Sequence, residues 1–310
     1  MSITKDDITR VKALGFLRNR GTDCFSGRVV APGSVFTAAQ LEILAECARR
    51  YGNGTVAFTV RLCAEIPGIA YENIDAARAF VRENAGLEFG GTGAKVRPVV
   101  ACKGTTCVFG NYDTQALAKR LHEKYYIGWG NVSLPHKFKI GVGGCPNSCA
   151  KPSLNDFGIE GHRAPVFDAE KCRGCKKCAI EAACPMKAVS VVDGKAQINT
   201  DVCLACGVCT GKCPFGAFAP ESKVQYAIYV GGTWGKSTRA GTRLSRMVDG
   251  NEIEPLVEKT MLWFRENAYK KERLGKAIDR LGVEALEKAL WSDDLLARKD
   301  EILAADIKER

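Results

Sequence analysis

Cysteine is the residue type that first suggests chemistry in this sequence. The chain has 15 cysteines among 310 residues, and 12 of them lie between Cys102 and Cys213. Eight of these form two closely spaced runs that each end in a Cys-Pro pair: Cys172, Cys175, Cys178 and Cys184, then Cys203, Cys206, Cys209 and Cys213. Disulfide scaffolds are typical of short secreted proteins, whereas this chain is long and shows no secretory signal. The cysteines therefore indicate metal binding or redox chemistry.

The two runs resemble the ligand motif of bacterial two-cluster ferredoxins, in which the fourth cysteine of each run binds the other cluster. The resemblance implies two 4Fe–4S clusters, one held by Cys172, Cys175, Cys178 and Cys213 and the other by Cys184, Cys203, Cys206 and Cys209. Five residues instead of three separate Cys178 from Cys184, which predicts an enlarged loop. Zinc sites are the alternative, since C-x-x-C pairs also bind zinc. Two triple runs that end in Cys-Pro favour the clusters.

A second set of four cysteines precedes these runs and comes from two separate segments. Its members are spaced C-x4-C and, after 37 further residues, C-x3-C: Cys102, Cys107, Cys145 and Cys149. Four thiolates from two loops can hold one more 4Fe–4S cluster. Spacing alone also permits a zinc site or two buried thiol pairs.

The segments around this second set resemble the siroheme-dependent sulfite and nitrite reductases. The resemblance is carried by GGCPNSC, the preceding HKFK, ACKGTTC and FTVRLCAEIPGI, and it extends from about Arg18 to Ala289. Within that group the sequence looks most like the C subunits of anaerobic sulfite reductases, which have a ferredoxin module inserted after the cysteine motif. The resemblance implies a third 4Fe–4S cluster, with Cys149 bridging it to the iron of one siroheme. The family's first cysteine pair is usually C-x5-C, and here it is one residue shorter.

Four cations stand where this family binds its anionic substrate, and the resemblance implies a catalytic role for Arg61, Arg97, Lys137 and Lys139. Reduction of sulfite to sulfide takes sulfur from +4 to −2, so six electrons and several protons are consumed. Fixed cations would hold the anion and assist its protonation. Lys137 and Lys139, at i and i+2, are predicted to share one face of a strand. For the siroheme carboxylates we single out nearby polar residues, namely Arg28, Asn147, Lys236, Arg239 and Arg243.

The elements that must position these residues predict an α+β fold. Thr37 and Gln40 form a capping box that begins one helix, and Asn73 begins another that runs to Asn84. TVAFTV at 55–60 is predicted to be a strand that leads into Arg61. Cys47 is expected in the core and Cys63 to be a buried strand thiol.

Four units follow from these elements and from the resemblance. Residues 1–92 are expected to form a ferredoxin-like half domain of the reductase fold. Residues 93–163 and 222–290 would form the siroheme and cluster core. Residues 164–221 would be an inserted two-cluster ferredoxin domain, with a hairpin turn at Asp193-Gly194, and residues 291–310 a C-terminal helix.

Composition and charge limit the partners. The 46% hydrophobic and 26% charged residues fit a globular protein, and no apolar run approaches the roughly 18 residues of a membrane helix. The net charge of +10 counts cysteines as neutral, and clusters of about −2 each would offset much of it. The charge therefore does not indicate nucleic-acid binding, and we expect a cytoplasmic protein without a membrane partner.

The sequence predicts a siroheme-dependent sulfite reductase that depends on other chains. No flavin or nicotinamide-nucleotide motif is evident, so a separate electron-donor protein is expected. Each core motif occurs once, whereas familiar sulfite reductases have two related repeats, which predicts a homo-oligomer. The alternatives are a reductase of nitrite or another small oxyanion, and a non-catalytic electron carrier that keeps the clusters. The four substrate cations argue against the carrier.

Overall fold

The N-terminal part of the chain forms an antiparallel sheet covered by helices. The computed structural model describes residues 3–310, and its first elements are α1 (Lys5–Ala13), β1 (Phe16–Arg18), β2 (Cys24–Val30), α2 (Ala38–Tyr51), β3 (Ala57–Phe58), β4 (Ala64–Ala70), α3 (Ile74–Ala85) and β5 (Glu88–Phe89). The strand order is β1-β2-β4-β3, and β5 pairs with β2. The capping box of Thr37 and Gln40 begins α2 as predicted. Cys47, on the inner side of this helix, is buried in the core. Helix and sheet thus bury a core of their own.

The predicted strand at 55–60 is wrong, because only Ala57–Phe58 pair with a neighbouring strand. The long strand in this region is β4, which begins directly after Cys63. Val60 is 98% exposed and Leu62 has a φ of +54°, so the chain leaves the sheet here in a loop. A positive φ is incompatible with a strand. The loop carries Arg61 across to the second sheet.

The second sheet mixes parallel and antiparallel strands. The elements from its first strand to its last are β6 (Val100–Ala101), α4 (Thr114–Leu121), β7 (Ile140–Gly143), β8 (Phe157–Arg163), α5 (Ala179–Ala183), β9 (Val189–Val192), β10 (Lys195–Ile198), β11 (Val224–Val230) and β12 (Thr242–Arg243). Its strand order is β12-β11-β8-β7-β6, with β6, β7 and β8 parallel and β11 antiparallel to β8. Asp113 caps α4, which continues in a wider turn through Ile127. Together with the C-terminal helices this sheet encloses the largest core.

The cysteine-rich segment leaves the second sheet after β8 and returns at β11. It contains α5 and the antiparallel hairpin of β9 and β10. Asp193 and Gly194 both have positive φ, as a two-residue hairpin turn requires, so the predicted turn is confirmed. A small core of its own forms around Ile180, Val189 and Phe218.

The chain ends in helices packed on the second sheet. They are α6 (Ile253–Asn267), α7 (Leu274–Leu281), α8 (Val283–Leu290), α9 (Asp294–Ala297) and α10 (Lys299–Ala304). The single C-terminal helix predicted for 291–310 is therefore two short helices that meet at Arg298. The break lets Leu295 and Ile302 both reach the core, and Arg298 pairs with Glu266 of α6 at 2.7 Å. Among residues 3–310, no helix combines the length and apolarity needed to cross a membrane.

Candidate active site

A cavity of about 290 Å³ lies between the two sheets, and cations dominate its lining. The charged side chains that line it are Lys12, Arg28, Arg61, Arg97, Lys137 and Lys139. The structure thus brings together all four predicted catalytic cations and Arg28, one of the predicted siroheme ligands. Sequence reasoning missed Lys12, which lies in α1 far from every motif. An anion is the natural occupant of such a cavity.

Arg61 connects the two sheets at the cavity. Its Nη1 donates to the Asn155 side-chain oxygen at 2.9 Å, and its Nη2 donates to the carbonyl oxygens of Pro98 and Ile140. Burial lowers the pKa of Arg61 to about 10, so it stays protonated at neutral pH. Its Nε is buried without a hydrogen-bond partner among the described residues. A buried donor of this kind is costly unless a ligand accepts from it.

Arg97 is fixed by a glycine loop at the side of the cavity. Its Nη1 donates to the carbonyl oxygen of Gly91, and its Nε, like that of Arg61, lacks a partner in residues 3–310. Gly91 has a φ of +75°, and a Cβ there would lie 3.2 Å from the Arg28 side chain. The positive φ favours glycine at this position, because a side chain there would be strained and would crowd Arg28. Burial and the neighbouring charge of Arg28 lower the pKa of Arg97.

Lys137 and Lys139 reach the cavity from one side of an extended segment. Phe138 between them is fully buried and forms a backbone β-bridge with Val96. The two lysines therefore face the opposite way and line the cavity, as their spacing predicted. The segment is extended, although β7 itself begins only at Ile140. Burial, followed by the charges of Arg61 and Arg273, lowers the pKa of Lys139 to about 8. Burial also lowers the pKa of Lys137.

Two consecutive residues outside every predicted motif hold this arrangement in place. Asn155 accepts from Arg61, and the Asp156 carboxylate accepts from the Lys139 backbone N–H at 2.9 Å. Asp156 is completely buried, and Arg273 at the start of α7 donates to both of its oxygens at 2.8 and 2.9 Å. Asn155 also donates to the carbonyl oxygen of Lys151, two residues after Cys149. An Asn-Asp pair directly before a buried apolar strand was the available sequence signal.

Two side chains of the first sheet complete the surroundings of the cavity. Glu65 on β4 lies opposite Arg28 on β2, and its carboxylate accepts from Arg28 at 2.9 Å. Cys63 lines the cavity although it is 1% exposed, and burial raises the pKa of its thiol. It is buried as predicted, but in the turn before β4 rather than within a strand.

The second cysteine set lies in two loops that meet. Burial raises the pKa of Cys145, and the nearby thiolates of Cys102, Cys149 and Cys107 act in the same direction. The backbone N–H of Gly144 donates to the Cys102 sulfur at 3.2 Å. Cys149 is exposed. Hydrogen bonds to sulfur of this kind are a common feature of iron–sulfur ligation.

The eight cysteines of the module separate into two groups. Cys184, Cys203, Cys206 and Cys209 line one small cavity, which is the grouping that the ferredoxin resemblance implies. Burial raises the pKa of Cys209 to about 11, with a further contribution from its three thiolate neighbours. Of the other four, Cys172, Cys178 and Cys213 pack on the module's core, as Cys184 and Cys209 also do, and Ala196 N–H donates to the Cys172 sulfur at 3.3 Å. Helix α5 occupies the enlarged loop between Cys178 and Cys184.

Within residues 3–310, no group of three or more His, Cys, Asp or Glu side chains forms a site for a single metal ion, and none of the fifteen cysteines is in a disulfide.

Four of the residues singled out for siroheme do not line the cavity. Asn147 is exposed in the loop between Cys145 and Cys149, and Lys236 is exposed in the loop after β11. Arg239 is held by Asp279 at 2.9 Å, by Thr242 and by backbone carbonyls. Arg243 lies in β12 opposite Tyr229. The structure therefore supports Arg28 as a cavity residue and gives these four no common site.

Comparison with known proteins gives a consistent result. Residues 92–297 match the family described as the nitrite and sulphite reductase 4Fe-4S domain, and residues 18–84 match the nitrite/sulfite reductase ferredoxin-like half domain. The chain is 31% identical over 254 residues to the coenzyme F420-dependent sulfite reductase of Methanocaldococcus jannaschii, covering 81% of this chain but 39% of that protein. It is 32% identical over 261 residues to the C subunit of anaerobic sulfite reductase from Salmonella typhimurium, covering 77% and 73% of the two chains. Its structure resembles dissimilatory sulfite reductase I with a TM-score of 0.70 at 22% identity, covering 86% of this chain and 69% of that one.

Proposed function

Because the chain belongs to the nitrite and sulfite reductase family, we propose that it is a siroheme-dependent reductase that converts sulfite to sulfide. The observation that carries the proposal is the cavity between the sheets. Six cations converge there, and two guanidinium Nε atoms among them lack acceptors in residues 3–310. A pure electron carrier has no use for such a cavity, whereas an enzyme that binds a small anion requires one.

The residues of the cavity fit a carboxylate-rich tetrapyrrole together with an oxyanion. Two carboxylates lie near these cations: Glu65 pairs with Arg28, and the buried Asp156 pairs with Arg273. The remaining positive charge and the unpartnered donors need acceptors from a ligand. Arg28 and Lys12 would hold the carboxylates of siroheme, and Cys149 would bind its iron. When bound, siroheme and its coupled cluster supply the electrons for reduction.

The side chains then orient the substrate and supply protons. The four predicted catalytic cations, Arg61, Arg97, Lys137 and Lys139, would hold the sulfite oxygens, where preorganised cations stabilise developing negative charge. With its pKa lowered to about 8, Lys139 is mostly protonated at pH 7 and still able to give up a proton. His136, adjacent to them, is neutral at pH 7 because burial and the charges of Arg273 and Lys137 lower its pKa to about 4. Proton delivery therefore falls to the lysines.

The twelve cysteines between Cys102 and Cys213 would hold three 4Fe–4S clusters. Electrons would pass from the two clusters of the module to the cluster of Cys102, Cys107, Cys145 and Cys149. A separate protein would supply them. The proposed location is the cytoplasm, where reducing conditions keep cysteines available to bind iron.

A second copy of the chain is part of the proposal. Close to Arg61 in the sequence, the chain exposes the apolar side chains of Phe58 at the end of β3 and of Val60 and Leu62 in the loop that follows. Apolar patches of this kind are typical of contact surfaces, and symmetric dimers are the commonest assembly. A homodimer would cover the loop and close the cavity from outside.

Substrate choice is the direct test of this function. Holoenzyme purified anaerobically would be supplied with a reduced viologen dye, and kcat/KM measured for sulfite and for nitrite. We expect the larger value for sulfite, with sulfide as the product. A larger value for nitrite would reassign the substrate, and the absence of turnover with either anion would refute the proposed enzyme.

A further inference from the structure

The two cluster groups of the ferredoxin module differ in their position relative to the siroheme domain. The segment between Cys203 and Cys206 is bound to β8 of that domain. The backbone N–H of Arg163 donates to the carbonyl oxygen of Ala205 at 2.7 Å, and the His162 ring contacts the carbonyl oxygen of Leu204 at 2.9 Å. The group of Cys184, Cys203, Cys206 and Cys209 is thus the inner group.

A single residue connects this inner group to the cysteines beside the cavity. The side-chain amide of Asn111 donates to the carbonyl oxygen of Cys206 at 3.4 Å. The backbone N–H of Asn111 donates to the carbonyl oxygen of Gly144 at 3.0 Å. Gly144 in turn donates to the Cys102 sulfur. The inner group is therefore the one from which electrons leave the module.

The other group, Cys172, Cys175, Cys178 and Cys213, is fixed by contacts within the module. Lys195 donates to the carbonyl oxygens of Ala169 and Cys172 at 2.7 Å each, and Ala196 donates to the Cys172 sulfur. Around this outer group the module exposes charged side chains. If electrons leave at the inner group, they must arrive at the outer one.

Four cations directly neighbour the cysteines of the outer group in the sequence: Arg173, Lys176, Lys177 and Lys212. All four are exposed, and none has a carboxylate within 4 Å among residues 3–310. Arg173 lies over the ring of Phe215, 4.7 Å from its centroid, and that ring is 41% exposed. Together these five residues form what we term the docking face. An arginine against an exposed aromatic ring, with lysines around it, has the composition of a protein-binding surface.

Neutralising the cluster does not account for these charges. The inner group would hold the same kind of cluster with the same charge, yet the segment 202–210 that carries three of its cysteines, VCLACGVCT, contains no lysine or arginine, and Lys187 is the single cation within the three residues that follow Cys184. The asymmetry between two equivalent clusters points to a function at the outer surface. Positive charge without local partners attracts an acidic partner and accelerates its association.

We propose that the docking face binds an acidic electron-carrier protein, which reduces the cluster of Cys172, Cys175, Cys178 and Cys213. This inference rests on the proposed function and adds the chemistry of the electron donor. In each encounter the carrier is oxidised by one electron and the cluster is reduced by one electron. No bond is formed or broken, and no proton is transferred. The carrier's carboxylates pair with the four cations while its apolar rim covers Phe215.

The test uses a plant-type 2Fe–2S ferredoxin, a small acidic carrier, as the probe. Its affinity for the anaerobic holoenzyme is measured by calorimetry at about 20 mM and 200 mM salt. We expect saturable binding that weakens about tenfold or more at the higher salt, and by a similar factor in the variant K176E/K177E. The matched control is K119E/K288E, which reverses two exposed lysines on α4 and α8. Iron content confirms that both variants hold their clusters.

Three outcomes would overturn the docking face. These are no binding of the ferredoxin to the wild-type enzyme, equal binding by the two variants, or equally tight binding of basic cytochrome c. Bleaching of the clusters by reduced ferredoxin provides a second readout, and its rate should fall in K176E/K177E only. A reduced viologen dye separates this inference from the enzyme function. If the docking face is wrong, dye-driven sulfide formation persists, whereas failure of the proposed function abolishes it in every variant.

Discussion

The ion pair of Asp156 and Arg273 is expected to govern both the stability of the protein and the position of Lys139. Asp156 is fully buried, and the side chain of Arg273 is 17% exposed. The carboxylate also accepts the backbone N–H of Lys139, so its place determines where the lysine segment lies. In Arg273→Met the carboxylate remains buried without its cation. Removing one partner of a buried pair typically costs about 3–5 kcal/mol.

The loss should depend on pH in a defined direction. Burial already raises the pKa of Asp156, and removing Arg273 raises it further. An acid whose pKa is higher in the folded than in the unfolded state destabilises the fold progressively as the pH rises above its unfolded value, near 3.9. Arg273→Met should therefore be less destabilised at pH 5 than at pH 8. Adding Asp156→Asn, which removes the buried charge, should recover part of the loss.

Thermal unfolding of the anaerobic holoenzyme, followed by circular dichroism, provides the assay. At roughly 2–4 °C per kcal/mol, Arg273→Met should lower Tm by about 6 °C or more. The control is Arg49→Met, which breaks the exposed pair with Glu46, where the Arg49 side chain is 62% exposed. Such pairs contribute at most about 1 kcal/mol. A Tm for Arg273→Met no lower than that of the control, or a loss independent of pH, would refute this reasoning.

Four further predictions concern chemistry and assembly. Lys137→Ala and Lys139→Ala should each lower kcat by about 10²–10³-fold, which is the usual effect of removing one donor that stabilises the transition state. The visible spectrum should not change. A wild-type kcat in both variants would show that the lysines are surface charges. The proposed function uses the protonated form of Lys139, whose pKa burial lowers to about 8, so kcat/KM for sulfite should fall as the pH rises through 8. In Lys139→Arg that fall should move to higher pH, and a profile identical to that of the wild type would exclude Lys139 as its cause. Metal analysis should find about 13 iron atoms per chain, from three clusters and one siroheme, whereas stoichiometric zinc would contradict the ligand assignment. Light scattering should give twice the chain mass, and a stable particle of 33.6 kDa at micromolar concentration would count against the homodimer.

Features encoded by neighbouring residues could be predicted from the sequence. The Asp193-Gly194 turn and the capping box before α2 depend on two to four consecutive positions. The grouping of Cys184 with Cys203, Cys206 and Cys209 depends on a spacing that the ferredoxin motif fixes. The shared orientation of Lys137 and Lys139 could also be predicted, because alternate residues of an extended segment point to the same side.

Features that depend on packing between distant segments could not be predicted. Lys12 reaches the cavity only because α1 packs beside the glycine loop, where Thr92 donates to its carbonyl oxygen. Arg273 meets Asp156 across 117 positions of sequence. The β-rich run at 55–60 indicated a strand, but the loop at Val60 and Leu62 overrides local propensity to deliver Arg61 to the second sheet.

The central claim is that the cationic cavity supports a complete reduction of sulfite, and electron stoichiometry tests it most directly. A known quantity of reduced viologen dye would be oxidised by the anaerobic holoenzyme with excess sulfite, and the sulfide formed would be measured. We expect six electrons to be consumed for each sulfide, and the yield to be abolished in the double variant Lys137→Ala/Lys139→Ala. Dye oxidation without sulfide, or full sulfide formation by that double variant, would contradict it.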